Sequence, residues 1–373
     1  MSMPKLRFKE FDGDWSTSAL KNICKINQGL QIAIEDRFTE NGDNRYFYIT
    51  NEFLKDGAKK SYFIQNPPES VKCLEDDILM TRTGNTGQVV TNVQGAFHNN
   101  FFKIDFDREK VSKNFFVEFL RKNTTQHLIL KYAGASTIPD LNHSDFYRIQ
   151  IPLTSIEEQT KIASFLSQVD EKINQLSQKH RLLSQYKQGM IQKLFSQQIR
   201  FKADGGSEFG EWESLKLKDV ITVKYGKDHK RLNDGDIPVL GTGGVMRYVD
   251  SYLYEGESIL IGRKGTIDKP QFISGKFWTV DTLFYTEIGK RLIPKFAYQQ
   301  LLLVNWLNLN EATGVPSLNT TSIGNIELKI PCLEEQTKIA NFLSAIDQKI
   351  EIVAQQIEQA KQWKKGLLQQ MFV

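Results

Sequence analysis

The chain has 373 residues, of which 40% are apolar and 25% charged. That is material for the cores of two domains of roughly 150 residues each. No segment approaches the roughly 18 uninterrupted apolar residues of a membrane span. The polar start, Met1-Ser-Met-Pro-Lys-Leu-Arg-Phe-Lys9, lacks the apolar centre of a secretory signal. A formal net charge of +4 is too mild to announce a nucleic-acid binder. Cys24, Cys73 and Cys332 lie too far apart in sequence for a disulfide framework or a zinc-ligand spacing, so a reduced, cytoplasmic protein is expected.

In chain order, Tyr46–Thr50, Asp77–Thr81 and Gln88–Thr91 have strand composition between turn residues. A helix is expected over Phe115–Leu130. A much longer one follows, in which Ile162, Leu166, Val169, Ile173, Leu176, His180 and Leu183 step by four and three, the heptad seam of a coiled coil. Ser155-x-x-Glu158 supplies a capping box at its start. Ala203–Gly210 reads as a linker. Ser258–Ile261 and Phe277–Val280 are expected strands and Pro294–Leu307 a helix. A second seam then runs through Ile339, Leu343, Ile346, Ile350, Val353, Ile357 and Ala360. At 1.5 Å per residue, a helix of about 40 residues is roughly 60 Å long. A single apolar stripe on such a helix needs a partner, and an antiparallel pairing of the two copies supplies one.

The two seams belong to an internal repeat. Glu157–Ile173 returns as Glu334–Ile350 with 13 of 17 positions identical at an offset of 177. The same offset carries Tyr186–Phe195 onto Trp363–Phe372 and Pro139-Asp-Leu-Asn142 onto Pro316-Ser-Leu-Asn319. Upstream, Arg7-Phe-Lys9 is echoed by Arg200-Phe-Lys202. Trp15, Leu20 and Gly29 are echoed by Trp212, Leu217 and Gly226, and Ile78–Arg82 by Ile259–Arg263. Between these landmarks the halves diverge. The expected architecture is mixed α/β: two tandem α/β domains separated by two long helices forming an antiparallel coiled coil. Its parts are 1–150, a spacer helix over 151–199, 200–330, and a second spacer helix over 331–373. Gly189 and Gly366 interrupt the helices at equivalent places, costing about 1 kcal/mol each relative to Ala. Close helix–helix approach is the expected reason and a partner-docking surface the alternative.

Signs of catalysis are missing from the sequence. Asn66-Pro-Pro-Glu69 resembles the Asn-Pro-Pro-aromatic loop of adenine-N6 methyltransferases but lacks the aromatic that would stack on a flipped base. There is no Gly-x4-Gly-Lys-Ser/Thr phosphate loop, and His98, His127, His143, His180 and His229 have no metal-binding spacing. No catalytic residue and no metal ligand is expected on this chain.

The doubled arrangement resembles the specificity subunits of type I restriction–modification enzymes. The resemblance spans essentially the whole chain and rests on three repeated motifs. They are Pro-x3–5-Glu-Gln-x2-Ile-x3-Leu-x3-Asp-x-x-Ile, Lys-x-Gly-x4-apolar-Phe, and Ile-Leu-x2-Arg-x-Gly. The spacing of the first departs slightly between copies, as Pro152 precedes Glu158 by six residues and Pro331 precedes Glu335 by four. The resemblance implies two target recognition domains, each reading one half of a gapped DNA site, and helices that set the gap. It implies docking of two modification subunits that methylate adenine at N6 with S-adenosylmethionine, joined by restriction subunits that need ATP and Mg²⁺. Unequal interiors then imply unequal half-sites. Readers joined by a rigid rod suit sites about one DNA turn, roughly 34 Å, apart.

Candidate DNA contacts combine groups that reach phosphates with groups that read base edges. In the first domain these are Thr50, Asn51, Lys59 and Lys60 after a strand, with Arg82, Thr83 and Asn85 in a glycine turn. In the second they are Lys227, His229, Lys230 and Arg231, then Thr242, Arg247, Arg263 and Lys264. Arg82 and Arg263 occupy matched positions in domains expected to read different bases. Phosphate contact or loop support therefore fits them better than base readout.

Overall fold

A computed structural model describes residues 3–55, 57, 60–134 and 137–372. They divide into two compact units, Met1–Leu176 with Gln356–Val373, and Ser177–Gln355. Among the described residues no helix is long and apolar enough to cross a membrane.

The first unit contains β1 (Ser16–Ala19), β2 (Cys24–Gln28), β3 (Arg45–Ile49), β4 (Phe63–Gln65), β5 (Lys72–Cys73), β6 (Ile78–Thr81), β7 (Val89–Val90), β8 (Gly95–Phe97) and β9 (Phe101–Phe106). Helices α1 (Lys113–Arg121), α2 (Asn123–Ala133) and α3 (His143–Tyr147) follow, then β10 (Gln150–Leu153) and the start of α4 (Ile156–Phe195). Two four-stranded sheets form, ordered β2-β9-β6-β7 and β4-β3-β8-β5, with β3 and β8 parallel. β1 and β10 make a separate antiparallel pair just before the long helix begins. Ile78, Met80, Phe102 and Ile104 alternate inward on paired strands and meet Phe115, Phe116, Phe119 and Leu120 of α1.

The second unit contains β11 (Glu213–Lys216), β12 (Ile221–Tyr225), β13 (Ile237–Gly241), β14 (Gly244–Val249), β15 (Tyr254–Gly262), β16 (Gln271–Thr279) and β17 (Leu283–Ile288). Then come α5 (Pro294–Leu301), α6 (Thr320–Gly324), β18 (Glu327–Ile330) and α7 (Leu333–Met371). Here one six-stranded sheet, β12-β17-β15-β16-β13-β14, replaces the two smaller ones, and only β13–β16 is parallel. β11 and β18 repeat the β1–β10 pairing.

The repeated motifs turn out to be joints. Glu158, 1% exposed, takes Arg7 through Nε and Nη2 at 2.7 and 2.8 Å. Glu335, fully buried, takes Arg200 at 3.1 and 2.7 Å and the Trp212 indole at 3.2 Å. Each arginine also holds the carbonyl of a glycine near the chain entry, Gly13 or Gly210. The next residue pins the segment before the domain helix. The Gln159 amide accepts from Ser112 N and donates to the Lys110 and Thr154 carbonyls. Gln336 does the same with Ile293 N, Arg291 and Pro331. Gly29 and Gly226 are required because an added Cβ would lie 2.2 and 2.0 Å from the Phe97 and Val280 carbonyl oxygens.

The long helices have 40 and 39 residues. All seam positions, Ile162 to Leu183 and Ile339 to Ala360, are buried or half-buried, while most residues between them are exposed. The halves are exchanged. In the first unit the start of α4 shares a core with the end of α7, through Ile162, Leu166, Val169, Leu367, Met371 and Phe372. In the second the end of α4, Ile191, Leu194 and Phe195, shares a core with Ile339, Leu343 and Ile346. The apolar-Phe ending is thus a plug: Phe372 stacks on Phe115 at 4.7 Å, and Phe195 meets Phe296 at 5.4 Å. Within each unit the segments run antiparallel, and equivalent ion pairs cross them, Lys364–Asp170 and Lys187–Asp347, both 2.6 Å.

Four expectations need correction. The helix expected over Phe115–Leu130 is broken at Lys122, whose ψ of 133° is extended. The one expected over Pro294–Leu307 stops at Leu301, and a short 3-10 turn follows at Trp306–Leu309. The capping box is half made: the Ser155 hydroxyl accepts from Glu158 N at 3.3 Å, but the Glu158 carboxylate is spent on Arg7 and Thr154. Finally, a Cβ at Gly189 would meet nothing within 4 Å, and one at Gly366 only Gln370 Nε2 at 3.9 Å, so close helix approach does not explain either glycine.

Candidate nucleic-acid interface

In the second unit the tight hairpin β13–β14 turns through Thr242 and Gly243, with Gly244 at φ +109°, a conformation that favours glycine. It forms one wall of an open basin of about 790 Å³. The loop holding Asp228, His229 and Lys230 forms another, and Val280–Thr282 a third. These walls are tied together by backbone. Lys227 N donates to the Thr279 carbonyl at 2.8 Å, and Arg263 N and Lys264 N both reach the Thr282 carbonyl, at 2.8 and 3.3 Å. The Trp278 indole donates to the Lys227 carbonyl at 2.9 Å.

Of the residues picked from sequence, His229, Lys230 and Thr242 line this basin, and Arg263 and Lys264 stand behind its third wall. Lys227, Lys230, Arg231, Arg263 and Lys264 make no ion pair among the described residues. Arg263 lies 5.3 Å from the Tyr225 ring and donates to the Asp281 carbonyl at 3.1 Å. His229 Nδ1 is buried without a hydrogen-bond partner. Arg247 is different: Nη2 binds Asp234 at 2.8 Å and the Leu232 carbonyl at 3.1 Å, so it braces the hairpin against the preceding loop.

In the first unit, Asn51 Nδ2 donates to the Thr83 carbonyl at 3.0 Å and packs over Gly84, which places the loop after β3 against the glycine turn. Thr50 is buried beside it, and Asn85 is exposed on the turn, its carbonyl accepting from the Thr81 hydroxyl. Lys60 is exposed, and Lys59 lies outside the described residues. Arg82 is not free. Nε and Nη2 engage both oxygens of Asp140, at 3.0 and 2.6 Å, and the Thr83 hydroxyl joins the same carboxylate. The Arg82 guanidinium holds the Asp140 carboxyl below the usual carboxylate range.

The two arginines sit in one frame. Leu141 N donates to the Arg82 carbonyl and Leu318 N to the Arg263 carbonyl, both at 2.9 Å. Asn142 and Asn319 then cap α3 and α6. Within this repeated Pro-x-Leu-Asn frame Asp140 is replaced by Ser317, and the second arginine loses its carboxylate. Sequence reasoning saw both tetrapeptides but gave Asp140 no role. It also missed Val245 and Met246, 52% and 61% exposed at the hairpin tip, whose only signal was apolar residues following Gly243-Gly244.

A framework built twice, with basic loops set on unlike sheets, defines a duplicated recognition module. Residues 12–183 and 210–362 match the type I restriction modification DNA specificity domain, and the chain belongs to that family. Such specificity subunits are the non-catalytic component of type I restriction–modification systems and carry their DNA sequence recognition domains. The chain is 27% identical over 408 residues to the type I restriction enzyme MjaVIII specificity subunit of Methanocaldococcus jannaschii, covering 97% of this chain and 94% of that one. It is 26% identical over 411 residues to the putative MjaX specificity subunit of the same organism, with 98% and 94% covered. The crystal structure of the S subunit of a type I restriction–modification system from M. genitalium shares the fold, with a TM-score of 0.69 at 18% identity over 100% of this chain and 99% of that one.

Proposed function

We propose that each recognition domain, 1–150 and 200–330, reads one half of a bipartite, gapped, asymmetric DNA site. The spacer helices, 151–199 and 331–373, set the gap and dock two modification subunits. Adenine-N6 methylation, or restriction, is then carried out by partner subunits in the cytoplasm. S-adenosylmethionine, ATP and Mg²⁺ belong on those partners.

The observation that carries this reading is the pairing of an identical frame with unlike contents. The Arg–Glu joints, the glutamine pins and the helix plugs recur in both units. The sheets that carry the basic loops differ in strand number and order. A scaffold evolved only to join partners gains nothing from two unlike interiors, whereas two unlike half-sites require them. DNA contact falls to Asn51, Lys59, Lys60, Thr83 and Asn85 in one domain, Thr50 being buried behind them, and to the loops around the basin in the other. A near-neutral chain is compatible with DNA binding when partner subunits supply much of the phosphate attraction.

Co-expression with the modification subunits, followed by mapping of N6-methyladenine along host DNA, tests it. A two-part motif with a fixed unspecified gap, methylated once per strand and lost without this chain, is expected. A continuous motif, or methylation indifferent to the chain, refutes it.

A further inference from the structure

We propose that the first unit binds a phosphate group in the cavity between the α1–α2 junction and the end of α7, held by Lys122, Lys365 and the first turn of α2. The cavity is open and about 400 Å³, and its walls carry Arg121, Lys122, Lys361, Lys364 and Lys365 against Glu118 and Asp170. Both carboxylates face Lys364: Asp170 accepts its hydrogen bond at 2.6 Å, and Glu118 is ion-paired with it at 3.0 Å without hydrogen-bond geometry. Lys361 pairs with Glu358 at 3.2 Å, and Arg121 donates to the Val89 carbonyl at 3.3 Å. No carboxylate among the described residues pairs with Lys122 or Lys365.

Lys122 is the decisive residue. It is 8% exposed, and among the described residues the only partner of its ammonium is the Phe372 ring at 5.5 Å. A half-buried ammonium without an anion is disfavoured, and burial pushes its pKa down. An anion entering from solvent would remove that cost. The same residue breaks the helix. As N-cap of α2 it has no side-chain acceptor, so the N–H groups of Asn123, Thr124 and Thr125 receive no side-chain cap, and Asn123 and Thr124 line the cavity. The uncapped start of an 11-residue helix carries partial positive charge. Ammonium groups and helix N–H groups together suit the several oxygens and the double charge of a phosphate better than a single carboxylate.

The repeat argues against a purely structural origin. The Lys364–Asp170 clamp has its counterpart in Lys187–Asp347, where Gln299 replaces Glu118 and donates to Asp347 at 3.1 Å. Arg121, Lys122 and Lys365 fall on Leu302, Leu303 and Gln188 in the second unit. The clamp is shared frame; the free cations are private to the first unit.

Free pyrophosphate and the backbone of a bound duplex offer the same group, so the test uses both. The full-length chain is titrated calorimetrically with inorganic pyrophosphate at low salt, and separately with duplex DNA carrying its site. Lys122→Met and Lys365→Met should each weaken pyrophosphate binding about tenfold, while Lys179→Met, an exposed lysine elsewhere on α4, leaves it unchanged. Lys365 is exposed, so its variant is not compromised by misfolding. If only duplex binding and its salt slope respond to the two variants, the phosphate belongs to DNA and the proposal stands. No response to either ligand overturns it. Loss of partner-subunit binding alone also overturns it, and assigns the cavity to an acidic protein segment.

Discussion

Replacing Ser317 by Asp should give the second unit the loop arrangement of the first. Ser317 and Asp140 hold the same place, each bridging backbone to the residue after its arginine, Lys264 or Thr83. Asp140 binds Arg82 through two hydrogen bonds, with 46% of its side chain exposed and 18% of the arginine's. An aspartate at 317 therefore captures Arg263. At that exposure the pair adds at most about 1 kcal/mol of stability. Its larger effect is on DNA. A guanidinium held by a carboxylate is lost as a phosphate contact, and each contact contributes about 0.9 to the slope of log affinity against log salt, or roughly tenfold near 0.1 M. Ser317→Asp should thus weaken duplex binding about tenfold and lower the slope by about one, whereas Ser317→Ala changes neither. Fluorescence anisotropy between about 50 and 200 mM salt reads both quantities. Unchanged affinity and slope in Ser317→Asp would refute the assignment of Arg263 to phosphate. An altered recognised base at unchanged affinity would show that it reads sequence.

Two further outcomes follow from the frame. Glu158→Ala leaves Arg7 half-buried without its partner and should cost about 3 kcal/mol, seen as a fall of roughly 6–12 °C in the melting of the first unit. Burial alone would raise the pKa of Glu158, but hydrogen bonds from Arg7 and Thr154 outweigh it and hold the group below its ordinary value. The wild-type contribution is therefore present above the unfolded carboxyl pKa and disappears as pH falls through the depressed folded one, so the variant's deficit should shrink in acid. A Cβ at Gly189 meets open space and one at Gly366 only an ordinary contact with Gln370, so Gly189→Ala and Gly366→Ala should each stabilise the chain by about 1 kcal/mol in denaturant titrations. If either variant instead lowers stability, the space around these helices is filled in solution. If it loses a modification subunit on co-purification while gaining stability, the glycines serve docking.

Much of the frame was legible because it is written twice. The seam positions, the pairing of the long helices and several strands in each unit could be read from spacing and repetition alone, since periodicity reports which side of an element is buried. The joints were visible as repeated letters but not as partners. Nothing in the sequence links Arg7 to Glu158, 151 residues away, or explains why a glutamine should follow that glutamate. Helix ends were misjudged where a single residue decides. Lys122 belongs by propensity to a helix interior, and only its extended backbone separates α1 from α2. The glycines of the long helices misled for a related reason, because a sequence records that a Cβ is absent but not what surrounds it.

The interface was hardest to read, and the reason is physical. A basic residue in a loop reads the same whether its charge is free or neutralised, so Arg82, Arg247 and Arg263 were indistinguishable by type. The structure separates them by what stands opposite: Asp140, Asp234 and a backbone carbonyl. In this fold the informative letter is the one that changes inside a repeated frame. Asp140 against Ser317 is such a change, and it converts a brace into a free cation without moving the backbone that carries it. Lys122 against Leu303 is another, and it places an unpaired charge where the second unit has an apolar side chain. A repeat of this kind separates the residues that hold each unit together from those left free to act on a ligand.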